Sequence, residues 1–164
     1  MKEATVIRPM QPAEYPLLED FLYEAIFLPE GTQPPPRDIV LLPELQLYIA
    51  DFGTKKADFA MVAEVNGKIV GAAWSRIVKD YGHVDEQTPS LSVSLYAPYR
   101  RQGIGTRLFR QLLDNLSDKG YEKASLSVQK ANYAAQMYLK MGFHIVKENE
   151  YDYVMVIHLK NNNL

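Results

Sequence analysis

The strongest constraint on this chain is the passage out of residues 91–96, where an alternating run meets a glycine turn and then a helix. Leu91, Val93 and Leu95 alternate with Ser92, Ser94 and Tyr96, the period of a strand with one apolar and one small polar face. Ile104, Leu108, Leu112 and Leu116 then recur at helical spacing, with Phe109 and Leu113 beside them, until Gly120 stops the helix. Between the two lies Tyr99-Arg100-Arg101-Gln102-Gly103-Ile104-Gly105-Thr106. Such a turn leaves backbone N–H groups unpaired at a helix N-terminus, where they can hold a phosphate. Two glycines let the backbone approach closely, and two arginines add positive charge. The turn is not a dinucleotide fingerprint, because Leu108 stands where a third small residue is required, and it lacks the Gly-Lys-Ser/Thr of a nucleotide P-loop. On its own it reads equally well as a plain strand-to-helix connection with arginines in solvent.

The remaining pattern supplies the frame. Residues 5–8 read as a first strand closed by Pro9, and 12–27 as a helix through Leu17, Leu18, Phe21, Leu22, Ala25 and Ile26. Pro34-Pro35-Pro36 must be extended, and a second helix is expected over 43–52. Residues 59–65 and 68–78 form a hairpin around Asn66-Gly67, whose type I′ turn needs positive φ at both central positions. A polar loop over 81–89 leads to the strand above. Strands at 123–128, 143–147 and 153–159, a helix over 133–141 and a frayed tail at 161–163 complete the chain. The order β-α-α-β-β-β-α-β-α-β-β describes a mixed α/β sheet layered with helices. With 164 residues and no repeat or linker, a single domain is expected over 1–164.

Downstream, Asn132-Tyr133-Ala134, Met137-Tyr138 and Gly142-Phe143 complete a second motif. Taken with Arg100-Arg101-Gln102-Gly103-Ile104-Gly105, which fits Arg/Gln-x-x-Gly-x-Gly, the chain resembles GNAT-type acyl-CoA N-acyltransferases over roughly residues 5–159. The resemblance implies a central, mostly antiparallel mixed sheet with one splayed strand pair, flanked by about four helices. It implies acetyl-CoA as co-substrate, its pyrophosphate on the N–H groups of Arg101, Gln102, Gly103, Ile104, Gly105 and Thr106. Arg100 or Arg101 would pair with the pyrophosphate or the 3′-phosphate, and Val93, Ser94 and Leu95 would contact the pantetheine arm. Tyr138 matches the tyrosine that donates to the leaving thiolate, and Asn132 the asparagine that contacts the coenzyme. Asn132 reads equally as a helix cap. It stands six residues before Tyr138, where many members have seven. The chain is weakest in resemblance over 10–58, the part expected to choose the acceptor, and the resemblance implies a variable substrate lid over 27–39.

On the amine side, Glu64 and Glu86 are weak candidates for the base, with Asp85 and His83 beside the latter. Trp74 and Arg76 alternate onto one face and are weak candidates for holding a substrate, or a packed tryptophan beside a surface arginine. No metal is expected, and the absence of cysteine excludes a disulfide framework and a cysteine nucleophile. A net charge of −2 with no basic tract argues against a nucleic-acid partner. No apolar run reaches membrane-spanning length, so a cytoplasmic protein without a membrane partner is expected. Exposed strand edges admit a homodimer without requiring one. The activity this implies is acetyl transfer to a primary amine, on a small molecule or a peptide, by direct attack in a ternary complex. The alternatives are a catalytically silent acyl-CoA-binding or regulatory module on the same fold, and a nucleotide-binding protein using the same turn.

Overall fold

The computed structural model describes residues 4–79 and 82–159. Seven strands form one sheet: β1 (Thr5–Pro9), β2 (Phe59–Val65), β3 (Lys68–Arg76), β4 (Ser90–Leu95), β5 (Lys123–Gln129), β6 (His144–Glu148) and β7 (Asp152–His158). Their spatial order is β1-β2-β3-β4-β5-β7-β6, and every adjacent pair is antiparallel except β4 with β5. Among the described residues four α-helices flank it: α1 (Leu18–Glu24), α2 (Pro43–Gln46), α3 (Ile104–Asp118) and α4 (Ala134–Met141). This is the mixed, mostly antiparallel architecture expected from the sequence, in the expected element order. The tail at 161–163 and Tyr81, the first residue of the expected loop, lie outside the described residues.

Local chemistry explains where elements begin and end. Asn66 and Gly67 take φ of 51° and 79°, the left-handed pair a type I′ turn requires. The helix expected over 12–27 is shorter than its apolar spacing suggests. Pro12–Leu17 is a 3-10 segment, and α-helical geometry starts only at Leu18. Pro16 has no N–H to donate, and in an α-helix its ring would meet the carbonyl of Pro12. The helix expected over 43–52 also stops early, at Gln46. The carbonyls of Leu47, Tyr48 and Ala50 instead accept from Arg76 Nη1 at 3.3 Å, Trp74 Nε1 at 3.2 Å and Arg76 Nη1 at 2.6 Å. Tertiary donors have replaced helical ones.

The sheet separates two cores. One face packs Leu108, Phe109, Leu112 and Leu116 of α3, with Ala135 and Tyr138 of α4, onto Ala73, Leu95, Leu126 and Met155. The other packs Leu18, Phe21 and Leu22 of α1 onto Ala60, Val62, Ala72 and Trp74. Both helices on the first face follow the two parallel strands, so α3 and α4 begin side by side at the carboxyl ends of β4 and β5. Among the described residues no helix is long and apolar enough to cross a membrane.

Candidate active site

The two parallel strands touch at one pair only, Ser90 with Ser125, where the Ser125 N–H donates to the Pro89 carbonyl at 2.9 Å. Beyond it they diverge. On its other side β4 is fully laddered to β3, from Ser90 opposite Arg76 to Leu95 opposite Gly71. The Tyr96 N–H donates to Val70 O at 3.0 Å, and antiparallel alternation then aims the backbone of Ser94, Ser92 and Ser90 at β3 as well. The backbone groups of Val93 and Leu95 therefore face the gap. Leu95 O is capped by Arg100 Nε at 2.9 Å. What remains for a ligand is the N–H and C=O of Val93 and the N–H of Leu95. Ser94 departs from its expected contact role: its backbone serves the β3 ladder, and its hydroxyl donates to Phe21 O at 2.6 Å.

At the open end stands the glycine turn. Arg101 has φ of 62° and Gly103 φ of 84°, and Gly103 is the N-cap of α3. A non-glycine residue in the left-handed region costs strain, and such residues cluster where function demands them. Alternating backbone handedness turns successive N–H groups inward, making an anion-binding concavity. The Arg107 N–H returns to Gly103 O at 3.2 Å, while among the described residues the N–H groups of Arg101 through Thr106 have no protein acceptor. The two arginines differ. Arg100 Nη2 is held by Glu24 Oε2 at 2.9 Å, so Arg100 is spent on α1 and on the end of β4. Arg101 is exposed, and its guanidinium lies 4.9 Å from the centre of the Tyr133 ring, so it is the arginine available for phosphate. Gln102 donates its side chain to Pro98 O at 3.0 Å.

The exit of β5 is built differently. Asn132 Oδ1 accepts the Ala134 N–H at 2.9 Å and its own N–H reaches Gln129 O at 2.9 Å, so the capping reading of Asn132 holds. The Thr106 hydroxyl donates to the Met137 sulfur at 3.2 Å, tying the starts of α3 and α4 together across the mouth. Tyr133 and Met137 had no role assigned from sequence, since periodicity carries no information about a neighbour more than thirty residues away. One position on, Tyr138 is 8% exposed, its ring 5.3 Å from Phe109 and 5.8 Å from Phe143. Among the described residues its hydroxyl makes no hydrogen bond, yet no fully buried side-chain polar atom there lacks a partner. The hydroxyl therefore reaches a solvent-accessible opening. Burial first, and Tyr133 second, push its pKa above the usual phenol range, so it is less acidic than a free phenol and stays protonated at neutral pH.

On the amine side several expectations are corrected. Trp74 is 1% exposed and Arg76 2%, and both are structural. Arg76 forks Asp58 through Nε and Nη2 at 2.9 and 2.8 Å, while Asp58 also accepts the Gly53 and Lys55 N–H groups. Neither residue has anything left for a substrate. Glu64 sits on β2, two strands from β4, in an ion pair with Arg8 at 3.1 Å. Asp85 accepts from Thr88, Gln87 and Lys123, which hold its carboxyl down at about 2. Glu86 is largely exposed, 3.7 Å from His83 Nε2. The region expected as a lid is anchored by Tyr23 Oη donating to Pro35 O at 2.5 Å and by Arg37, which pairs with Asp20 and lies over the Tyr23 ring.

The sequence profile of the Acetyltransferase (GNAT) family matches residues 22–143, and the chain belongs to that family. It is 34% identical over 94 residues to N-acetyltransferase family 8 member 3 of Mus musculus, covering 57% of this chain and 42% of that protein. The chain thus spans about half the length of the curated relatives it matches. The ribosomal-protein-S18-alanine N-acetyltransferase from Escherichia coli superposes with a TM-score of 0.67 at 19% identity, covering 98% of this chain and 99% of that one. A GNAT superfamily phosphinothricin acetyltransferase from Sinorhizobium meliloti, in complex with AcCoA, gives 0.68 at 16% identity, covering 97% and 90%. At such identities these structures speak for the fold.

Proposed function

We propose that the chain is a single-domain N-acetyltransferase that uses acetyl-CoA as co-substrate and a primary amine as acceptor. The observation that carries this reading is the pairing of a splayed strand gap with a turn whose N–H groups, Arg101 through Thr106, are unspent. In this reading the turn and Arg101 bind the pyrophosphate, with the α3 dipole behind them. Val93 and Leu95 bind the pantetheine arm as a surrogate strand neighbour. The thioester then lies in the gap, with Tyr138 on the α4 side.

The amine attacks the thioester carbon directly, the C–N bond forming before the C–S bond breaks, and no covalent enzyme intermediate is involved. A thiol of pKa about 8.5 is already a tolerable leaving group. A phenol less acidic than usual transfers its proton to such a thiolate only uphill, so Tyr138 acts chiefly as a hydrogen-bond donor to the departing sulfur. The N-acetyltransferase names of the relatives and the AcCoA complex of a structural neighbour support the choice of acyl donor and acceptor class. The test is thiol release from acetyl-CoA across a panel of primary amines, with CoA binding followed by calorimetry. Amine-dependent thiol release is expected. CoA binding without turnover of any amine would favour a silent acyl-CoA-binding module, and no CoA binding would end the reading.

A further inference from the structure

The chain holds six methionines and no cysteine, so thioethers are the sulfur atoms that an oxidant meets. Met1 lies outside the described residues. Of the others, Met10, Met61 and Met155 are buried, while Met137 and Met141 are half-buried on one face of α4. Both pack at the margin of the α3 core. Met141 is the last residue of α4, one turn beyond Met137. Met137 lies nearer the start of the helix and reaches the glycine turn, where its sulfur accepts the Thr106 hydroxyl at 3.2 Å.

That bond joins a donor of the turn to a weak acceptor. Thr106 stands in the first turn of α3, and among the described residues its N–H is one of those without a protein acceptor. Its hydroxyl loses little by turning from a thioether to a phosphate oxygen, because a charged acceptor makes the stronger bond. The donor is therefore sensitive to what the sulfur carries. A thioether has two lone pairs, and Thr106 occupies one of them. Oxidation at the other turns a soft apolar atom into a polar sulfoxide. The new oxygen carries partial negative charge and accepts strongly. It holds the Thr106 proton and stands beside the donors that a pyrophosphate needs.

Resting on the acetyltransferase reading above, we infer that Met137 is an oxidation site whose sulfoxide weakens coenzyme binding through Thr106. The co-reactant is a hydroperoxide, hydrogen peroxide in the simplest case. The free lone pair of the sulfur attacks the nearer peroxide oxygen, so that an S–O bond forms as the O–O bond breaks. The departing hydroxide takes the proton left on the transferred oxygen and becomes water. Sulfur is oxidised by two electrons and the peroxide is reduced by two.

The experiment treats the full chain with hydrogen peroxide, locates sulfoxides by peptide mass mapping, and measures CoA affinity by calorimetry before and after. Wild type is compared with Met137→Leu and Met141→Leu, which conserve volume, and with Thr106→Val. Met137 and Met141 should oxidise ahead of Met10, Met61 and Met155. Oxidised wild type and oxidised Met141→Leu should each bind CoA about tenfold more weakly, the scale of one lost hydrogen bond to a charged group. Met137→Leu should keep its affinity through the treatment. Thr106→Val should bind more weakly from the start and lose less on oxidation. The two methionine sulfoxide reductases, one for each epimer, should together restore the wild type, and circular dichroism should show the fold unchanged throughout. Met137 left unmodified while Met141 oxidises, or a Met137 sulfoxide with full CoA affinity, would overturn the inference. So would an equal loss in treated Met137→Leu, and an undiminished loss in Thr106→Val would overturn the route through Thr106. Unoxidised wild type that fails to bind CoA would instead sink the underlying reading and this inference with it, whatever the oxidation map.

Discussion

Two regions of this sheet keep opposite accounts of their polar groups. Under α1 and α2, the buried guanidinium of Arg76 is matched by both oxygens of Asp58 and by the carbonyls of Leu47 and Ala50. Across the β4–β5 gap, among the described residues, the backbone of Val93, the N–H groups of Leu95 and of Arg101 to Thr106, and the Tyr138 hydroxyl have no protein partner. The first region buries its charges and is closed, while the second is open and leaves its one available charge, Arg101, at the surface. A folded chain satisfies its buried polar groups, so groups left unmatched at an opening mark where a ligand belongs. Charge alone points to the wrong region.

The contrast is breakable by substitution, and the largest effect should come from the closed region. Asp58→Ala strands the Arg76 charge and should lower stability by about 3–5 kcal/mol in urea unfolding, while the molecules that remain folded bind CoA as before. Tyr138→Phe should do the reverse, lowering kcat by about 100-fold with little change in melting temperature or CoA affinity. Gly103→Ala has open space for its methyl group but must keep φ near 84°. The left-handed conformation costs alanine roughly 1–2 kcal/mol, so CoA should bind about tenfold more weakly by calorimetry.

The smallest effect concerns a satisfied carboxylate. Asp85 is depressed from its ordinary 3.8 to about 2, first by the Thr88 hydroxyl, then by the Gln87 N–H and Lys123. A depressed folded-state value contributes stability that is present above the unfolded value and lost as pH falls through the folded one. Asp85→Asn should therefore flatten the fall in stability between about pH 4 and pH 2, followed by thermal melts across that range.

The same contrast explains what was legible in the sequence. The element order, the Asn66-Gly67 hairpin, the α3 apolar stripe and the glycine turn are written in local spacing, and they stand where spacing puts them. Trp74 and Arg76 were legible as a pair on one face, but their partners, Tyr48 and Asp58, lie 26 and 18 residues away. Glu64 looked free because Arg8 is 56 residues distant. Alternation along β4 told which way Ser94 and Val93 point their side chains. It did not tell which neighbour their backbones serve, because that depends on the register with β3. The early end of the α1 region was readable from Pro16, which outweighs the apolar periodicity around it.

Amide hydrogen exchange with and without CoA tests the central claim most directly, because it reports the backbone groups themselves. The amides of Arg101 through Thr106, with those of Val93 and Leu95, should exchange fast in the free protein and become protected when CoA is added, while those of Ala134 and Ala135 at the self-capped start of α4 change little. Amides at 101–106 that are already protected without CoA, or that exchange equally fast with it, would contradict the account.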